Sequence, residues 1–326
     1  MEQIADFLKQ YSGKKVIFIA HHNADPDAVG SAFALSEALK QLDCETIIGV
    51  AESISKLSKK VMKVLGGEVV IDPKLDCDLV ILLDISTPGQ LSSYADTVVN
   101  CSVPKVIIDH HAIQGESLTA DHKIVDENAK STTELVHKLL PLLGVKVSRE
   151  MALAIILGLI TDTAHFRFAS VETFEIMASL MKEHQIEPSE VMDILSLIPD
   201  ISERIAVLKG EQRLKFKKVS NYLIATTVVG TFEAATARAI LRSGADVAIV
   251  AAHKDKEVRI SMRSKRTFSN ETNINLGVDI VPEVAKIIDG SGSGHPNAAG
   301  VNGPNTDNIN KALDKAVELI SQRLNK

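Results

Sequence analysis

Four times in the first half of the chain, an apolar run stops on a residue able to bind a metal. VIFIA leads into His21-His22-Asn23-Ala24-Asp25-Pro26-Asp27, LVILL into Asp84, KVII into Asp109-His110-His111, and LGLIT into Asp162. Unbroken Val, Ile and Leu, without polar alternation, marks strands covered on both faces, so the pattern predicts a mostly parallel sheet in an α/β layered domain. Strands are predicted over residues 16–20, 46–50, 79–84 and 105–109, with helices between them. One of these helices, over residues 28–41, is expected to be capped by Asp27. In such sheets ligands collect beyond the carboxyl ends of the strands, which is where these Asp and His residues fall.

A chain of 326 residues exceeds what one core usually holds, so two domains are expected. Residues 1–187 carry the ligand-type motifs. Residues 188–216 show helical spacing without strand signals and are read as a helical linker. Residues 217–326 form a smaller α/β domain, with strands near 222–229, 247–252 and 257–262 and helices near 232–242, 282–288 and 307–324. The longest apolar run, residues 151–160, is far shorter than the roughly 20 residues a bilayer requires. The first fifteen residues read as an amphipathic helix and not as a secretory signal, which places the chain in the cytoplasm. Cys44, Cys77 and Cys101 are odd in number and widely spaced, which argues for buried structural thiols and against disulfides or a thiolate zinc site.

The charge and aromatic content narrow the partners. A net charge of −6 disfavours wrapping of long duplexes, which draws on Lys and Arg to neutralise phosphates. No Trp and 4% aromatics leave no ladder for stacking many successive bases. Short or small phosphorylated substrates stay open.

Several carboxylates and imidazoles gathered at strand ends would repel and desolvate one another unless cations sat among them. His21, Asp25 and Asp27, spaced i, i+4 and i+6 with Pro26 stiffening the turn, can face one point. By itself that spacing is weak, since a capping Asp and a turn Asp account for two of the three. Asp84 adds weight: an aspartate directly after LVILL is a poor strand residue and a good bridge between two cations. The mixed nitrogen and oxygen ligation, without sulfur, suits Mn²⁺ better than Mg²⁺ or structural Zn²⁺, with Mg²⁺ or Co²⁺ as substitutes. Two-metal phosphoryl hydrolysis is the chemistry such a set implies.

With these motifs the chain resembles the DHH phosphoesterase superfamily, named for the triplet that stands here as Asp109-His110-His111. The segment Gly290-Ser291-Gly292-Ser293-Gly294-His295-Pro296-Asn297-Ala298-Ala299-Gly300 is similar to the glycine-rich signature of the DHHA1 partner domain in RecJ-type and oligoribonuclease members, with serines where glycine is usual. The resemblance implies two Mn²⁺ ions held by His21, Asp25, Asp27, Asp84, His110 and Asp162, with Asp84 bridging. Asp109 is assigned to orienting an imidazole through its other N–H. His111 is assigned to the scissile phosphate or the leaving oxygen. His22 is expected to face away. A hydroxide shared by the two cations would attack phosphorus in line.

Two features of the second domain fit the rest of a substrate. Arg259, Ser261 and Arg263 alternate along one strand face, and the glycine-rich loop would let backbone N–H groups approach a phosphate. The resemblance points to Arg263, Ser264 and His295, with Gly292 and Gly294 of the loop, as the substrate-phosphate binders. Ser131-Thr132-Thr133-Glu134 reads as a capping box, that is, as structure. His165 and Arg167 border Asp162 in sequence.

The expected activity is hydrolysis of short oligonucleotides from an end, with adenosine 3′,5′-bisphosphate as a second substrate. A RecJ-like single-strand exonuclease and a cyclic di-AMP phosphodiesterase are the alternatives. Family II pyrophosphatase ranks below them for lack of the GxGxGH segment, and a catalytically inactive replication scaffold is the non-enzymatic reading. Expected partners are short single strands or small nucleotides, with no long duplex and no membrane. A homodimer is among the assemblies allowed.

Overall fold

The computed structural model describes residues 1–112, 115–196, 198–254 and 257–325. The chain forms two compact units, Met1–Leu197 and Ile198–Lys326.

The first unit is built on six parallel strands: β1 Lys15–Ala20, β2 Glu45–Val50, β3 Val70–Ile71, β4 Leu79–Leu83, β5 Lys105–Asp109 and β6 His122–Val125. They run in the order β3-β2-β1-β4-β5-β6. Helices α1 Glu2–Lys9, α2 Pro26–Lys40, α3 Lys56–Leu65, α4 Ala95–Val99, α5 Thr132–Leu143, α6 Arg149–Asp162, α7 Val171–His184 and α8 Pro188–Leu195 surround them. The apolar runs are explained by burial on both faces. Val16, Phe18 and Ala20 join the core under α2, α5 and α6, while Ile17 and Ile19 join a second core with Ile85, Leu91 and Val98. Met151 to Ile160 of α6 is apolar all round because it is buried all round. Ser131, Ser148 and Ser170 accept the N3 backbone N–H of α5, α6 and α7 and fix where those helices start.

The second unit holds α9 Ile201–Gln212, β7 Lys215–Val219, β8 Tyr222–Val229, α10 Glu233–Arg242, β9 Val247–Lys254, β10 Glu257–Ser264, α11 Arg266–Thr272, α12 Val281–Ile287, β11 Ser291–His295, β12 Ala298–Gly303 and α13 Ile309–Leu324. Its sheet runs β11-β12-β10-β9-β8-β7, antiparallel except for the β8–β9 pair. The fold is therefore α/β in both units, with a parallel first sheet.

Four local expectations differ from what forms. The cap of α2 is Asp25, because Pro26 is pre-set for the first helical turn and draws the helix start forward. Lys215 and Phe216, read as the end of a helical stretch, begin edge strand β7. The glycine-rich segment is not a loop but strand β11, paired along its length with β12. Of the three cysteines Cys44 is buried, while Cys77 and Cys101 are only half-buried.

No helix among the described residues is long and apolar enough to cross a membrane.

Candidate metal centre

The strand order reverses direction between β1 and β4, and a crevice opens beyond the carboxyl ends of strands at such a point. His21 leaves β1 there, Asp84 leaves β4, and His110 leaves β5. Asp84 sits in the left-handed region at φ 63, a conformation disfavoured for a residue with a Cβ. Gln90 holds that turn: its Oε1 accepts the Ser86 and Thr87 backbone N–H groups, and its Nε2 donates to the Asp84 carbonyl. The Asp84 side chain is 3% exposed. His21 Nε2 is 3.4 Å from Asp84 Oδ2, and His110 Nε2 and His111 Nδ1 are 3.6 Å and 3.4 Å from Asp84 Oδ1.

All six side chains expected as ligands fall into compact groups. His21, Asp25 and Asp84 form one, Asp27, His110 and Asp162 a second, and Asp84 with His110 and His111 a third. His21, Asp25 and Asp27 therefore do not face one point, as their spacing suggested. Asp25 turns back to accept the Asp27 and Ala28 N–H groups, while Asp27, inside the first turn of α2, points toward α5. His22 joins none of these groups; its Nδ1 lies 3.2 Å from the Gln90 carbonyl.

The N-terminus of α5 does more than start a helix. Asp27 Oδ2 accepts from Thr132 N–H at 2.7 Å, and its Oδ1 accepts from Thr133 N–H at 2.9 Å and Thr133 Oγ1 at 2.6 Å. Thr132 Oγ1 donates to Asp84 Oδ1 at 2.8 Å. The orphan N–H groups and positive end of a helix thus carry one buried carboxylate and steady another. Only half of the expected capping box forms: Glu134 N–H donates to Ser131 Oγ, while Glu134 Oε2 accepts the Lys130 N–H in place of the Ser131 N–H. Sequence reasoning took Thr132 and Thr133 for capping alone; the paired hydroxyls were the available signal.

Asp109 Oδ1 accepts from the backbone N–H groups of His110 and His111 and from His111 Nδ1 at 2.8 Å. It therefore orients the His111 ring, which is 49% exposed. His110 Nδ1 lies 3.3 Å from the Ala129 carbonyl, turning Nε2 toward the carboxylates.

Electrostatics follow from this crowding. For His21, burial would lower the pKa, but Asp25 and Asp84 outweigh it and push it up to about 10. His110 is likewise lowered by burial and raised by Asp162 to about 9. The Asp109 hydrogen bond, then Asp84, lifts His111 to about 11. Burial acts to raise Asp84, yet His111 and His21 hold it below the usual carboxylate range. Asp27 is raised by burial first and then by Asp84, Asp162 and Asp25. Such a set calls for positive charge at its centre.

The residues fit divalent cations. The donors are carboxylate oxygens and imidazole nitrogens with no sulfur. His110 Nε2 stands 3.0 Å from Asp162 Oδ2 without the alignment of a hydrogen bond, and both it and Asp109 Oδ2 are buried without a hydrogen-bond partner among the described residues.

In the second unit, Arg263 and His295 both lie opposite Ala298 across neighbouring strands, on one sheet face. Arg263 Nε is buried without a hydrogen-bond partner among the described residues. Ser264 is buried and turns to Asn297: its N–H donates to the Asn297 carbonyl, and its Oγ is 3.5 Å from Asn297 Oδ1. Asn297, quoted within the glycine-rich signature, had no role assigned to it from the sequence. Gly292 and Gly294 have a packing reason of their own, since a Cβ at either would overlap the backbone of β12. Arg259 is engaged with Glu257 at 2.9 Å.

The strand-end cluster of the first unit and the sheet of the second, each taken by itself, define a class. Residues 15–159 match the DHH family, N-terminal domain, and residues 222–322 match the DHHA1 domain. The chain belongs to the DHH/DHHA1 phosphoesterase superfamily. Within it, an uncharacterized protein of Methanocaldococcus jannaschii is 33% identical over 307 residues, 93% of this chain and 90% of that one. The bifunctional oligoribonuclease and PAP phosphatase NrnA of Thermus thermophilus is 29% identical over 213 residues, 61% of this chain and 59% of the relative. The crystal structure of an exopolyphosphatase-related protein from Bacteroides fragilis shares the fold, with a TM-score of 0.64 at 19% identity over 100% of this chain and 96% of that one.

Proposed function

We propose that the chain is a two-metal phosphodiesterase that hydrolyses short oligonucleotides and adenosine 3′,5′-bisphosphate in the cytoplasm, with Mn²⁺ as the preferred ion. The observation that carries this is the sharing of Asp84 between two of the compact donor groups at the ends of β1, β4 and β5. One shared carboxylate between two ligand sets suits a pair of neighbouring cations. The relationship to NrnA supports the substrate class.

His21, Asp25 and Asp84 would hold one ion, and Asp27, His110 and Asp162, with Asp84, the other. Bound there, the cations supply charge against the non-bridging oxygens and lower the pKa of a nucleophilic water. Everything else is done by side chains of this chain. Thr132 and Thr133 keep two carboxylates aimed inward. Asp109 fixes His111 so that its exposed Nε2 can donate to a phosphate oxygen or to the departing oxygen. Arg263 and His295, side by side on one sheet face, bind a substrate phosphate through charge-assisted hydrogen bonds.

The test is a panel with added Mn²⁺: RNA and DNA dinucleotides through longer oligomers labelled at either end, adenosine 3′,5′-bisphosphate, cyclic di-AMP and pyrophosphate. Dinucleotides and the bisphosphate should be cleaved best, and Asp84→Ala should be inactive on all. Cyclic di-AMP or long single strands as the best substrate would move the reading to those alternatives. Metal binding without any hydrolysis would favour a scaffold.

A further inference from the structure

Immediately after Asp162 the backbone does something costly. Ala164, His165 and Phe166 are three successive residues in the left-handed region, with φ of 49, 56 and 70, a conformation that side chains with a Cβ disfavour. The turn is held on the end of α6: His165 N–H donates to the Ile160 carbonyl, Phe166 N–H to Thr163 Oγ1, and Phe168 N–H to the Thr163 carbonyl. Such backbone strain persists only where surrounding contacts enforce it.

What the turn presents is aromatic and exposed. Phe168 is 63% exposed and Phe174, in the first turn of α7, is 51% exposed, although the chain has only nine Phe and no Trp. The Phe166 and Phe174 rings pack at 5.4 Å between centroids, which fixes the second ring. The Arg167 guanidinium carbon lies 5.6 Å from the Phe168 centroid, over the ring. A cation backing one face of an aromatic ring leaves the other face for a flat, electron-rich partner. The rim of a phosphoryl-transfer cluster is where the rest of a phosphorylated substrate must lie, and inorganic phosphate chains have no use for such a surface.

From this geometry we infer that Phe168, backed by Arg167, is a stacking platform for the nucleobase of a substrate whose phosphate reacts beside Asp162. The inference rests on the phosphodiesterase reading and deepens it: the substrate is a nucleotide recognised through one base, not a polyphosphate. Stacking on a ring is tolerant of base identity, so discrimination among the four bases should be weak.

The test compares kcat/KM for a Mn²⁺-activated RNA dinucleotide with that for the same dinucleotide carrying an abasic residue at the reacting position. The wild type should prefer the intact dinucleotide. Phe168→Ala should cut that preference about 5- to 100-fold, chiefly through KM. Phe168→Trp should keep it, and Phe168→Leu, apolar but without a π face, should lose it. Circular dichroism and gel filtration check that the exposed substitution leaves fold and assembly intact. Two results would overturn the platform while leaving the phosphodiesterase reading in place: a preference unchanged within twofold in Phe168→Ala, or an altered oligomeric state with that preference retained. A wild type that cleaves neither compound under these conditions sinks the phosphodiesterase reading, and the platform with it.

Discussion

Thr133 Oγ1 donates to Asp27 Oδ1 at 2.6 Å, joining residues 106 positions apart. Through this bond α5 decides where a carboxylate of α2 points, and so whether Asp27 meets His110 and Asp162. Thr133→Val keeps the shape and removes the donor, while the backbone N–H groups of Thr132 and Thr133 remain. Loss of a hydrogen bond that orients a ligand typically weakens metal binding about 10- to 100-fold. Calorimetric titration with Mn²⁺ should show that drop; unchanged affinity would mean that the hydroxyl does not position Asp27.

Gly158, on α6, faces the same pair. A Cβ there would stand 2.8 Å from Asp27 Oδ1 and 2.6 Å from Thr133 Oγ1. Alanine inside a helix normally gains about 0.5–1 kcal/mol over glycine. Here the overlap should reverse the sign, and Gly158→Ala should lose roughly 1–3 kcal/mol in urea unfolding, as overpacked cores do. A stabilised variant would show that the neighbours give way freely.

Arg263→Ala should leave metal content at its wild-type level by elemental analysis, since none of the donor groups among the described residues draws on the second unit. Removing a charged donor to a phosphate should raise KM for a dinucleotide about 10- to 100-fold. An unchanged KM would remove the case for β10 as a substrate strand.

His137, on α5, is half-buried with Nδ1 lacking a hydrogen-bond partner among the described residues. Burial first, then Lys138, lowers its pKa below the model-peptide value of 6.5, against raising contributions from Glu134, Glu172 and Glu183. The folded state then holds fewer protons than the unfolded chain just below that value. Its contribution to stability is present above about 6.5 and is lost as pH falls toward the folded value. Between about pH 7.5 and about pH 5.5, His137→Leu should lose less urea stability than the wild type. Equal losses would show that His137 titrates alike in both states.

Much of the architecture was legible along the chain. The runs ending at Ala20, Leu83 and Asp109 had to be doubly covered strands, because only burial on both faces removes the polar alternation. The motifs at their ends identified the superfamily, but the apolar run before Asp162 is helix α6 and not a strand, since unbroken apolar sequence marks burial on all sides in either element. Strands β11 and β12 were harder to see: Ser291-Gly292-Ser293-Gly294 has neither alternation nor β-branched residues, so only pairing with β12 makes it a strand.

Sequence alone determined which residue types stand at the strand ends, since local spacing and apolar periodicity are written along one element. The tertiary structure decided how they divide: His21 with Asp25 and Asp84, Asp27 with His110 and Asp162, and Asp84 again with His110 and His111. It also recruited Thr132, Thr133 and Gln90 and turned Phe168 outward. Those relationships depend on how α2, α5 and α6 pack over the sheet, and contacts between residues a hundred positions apart leave no period in the chain.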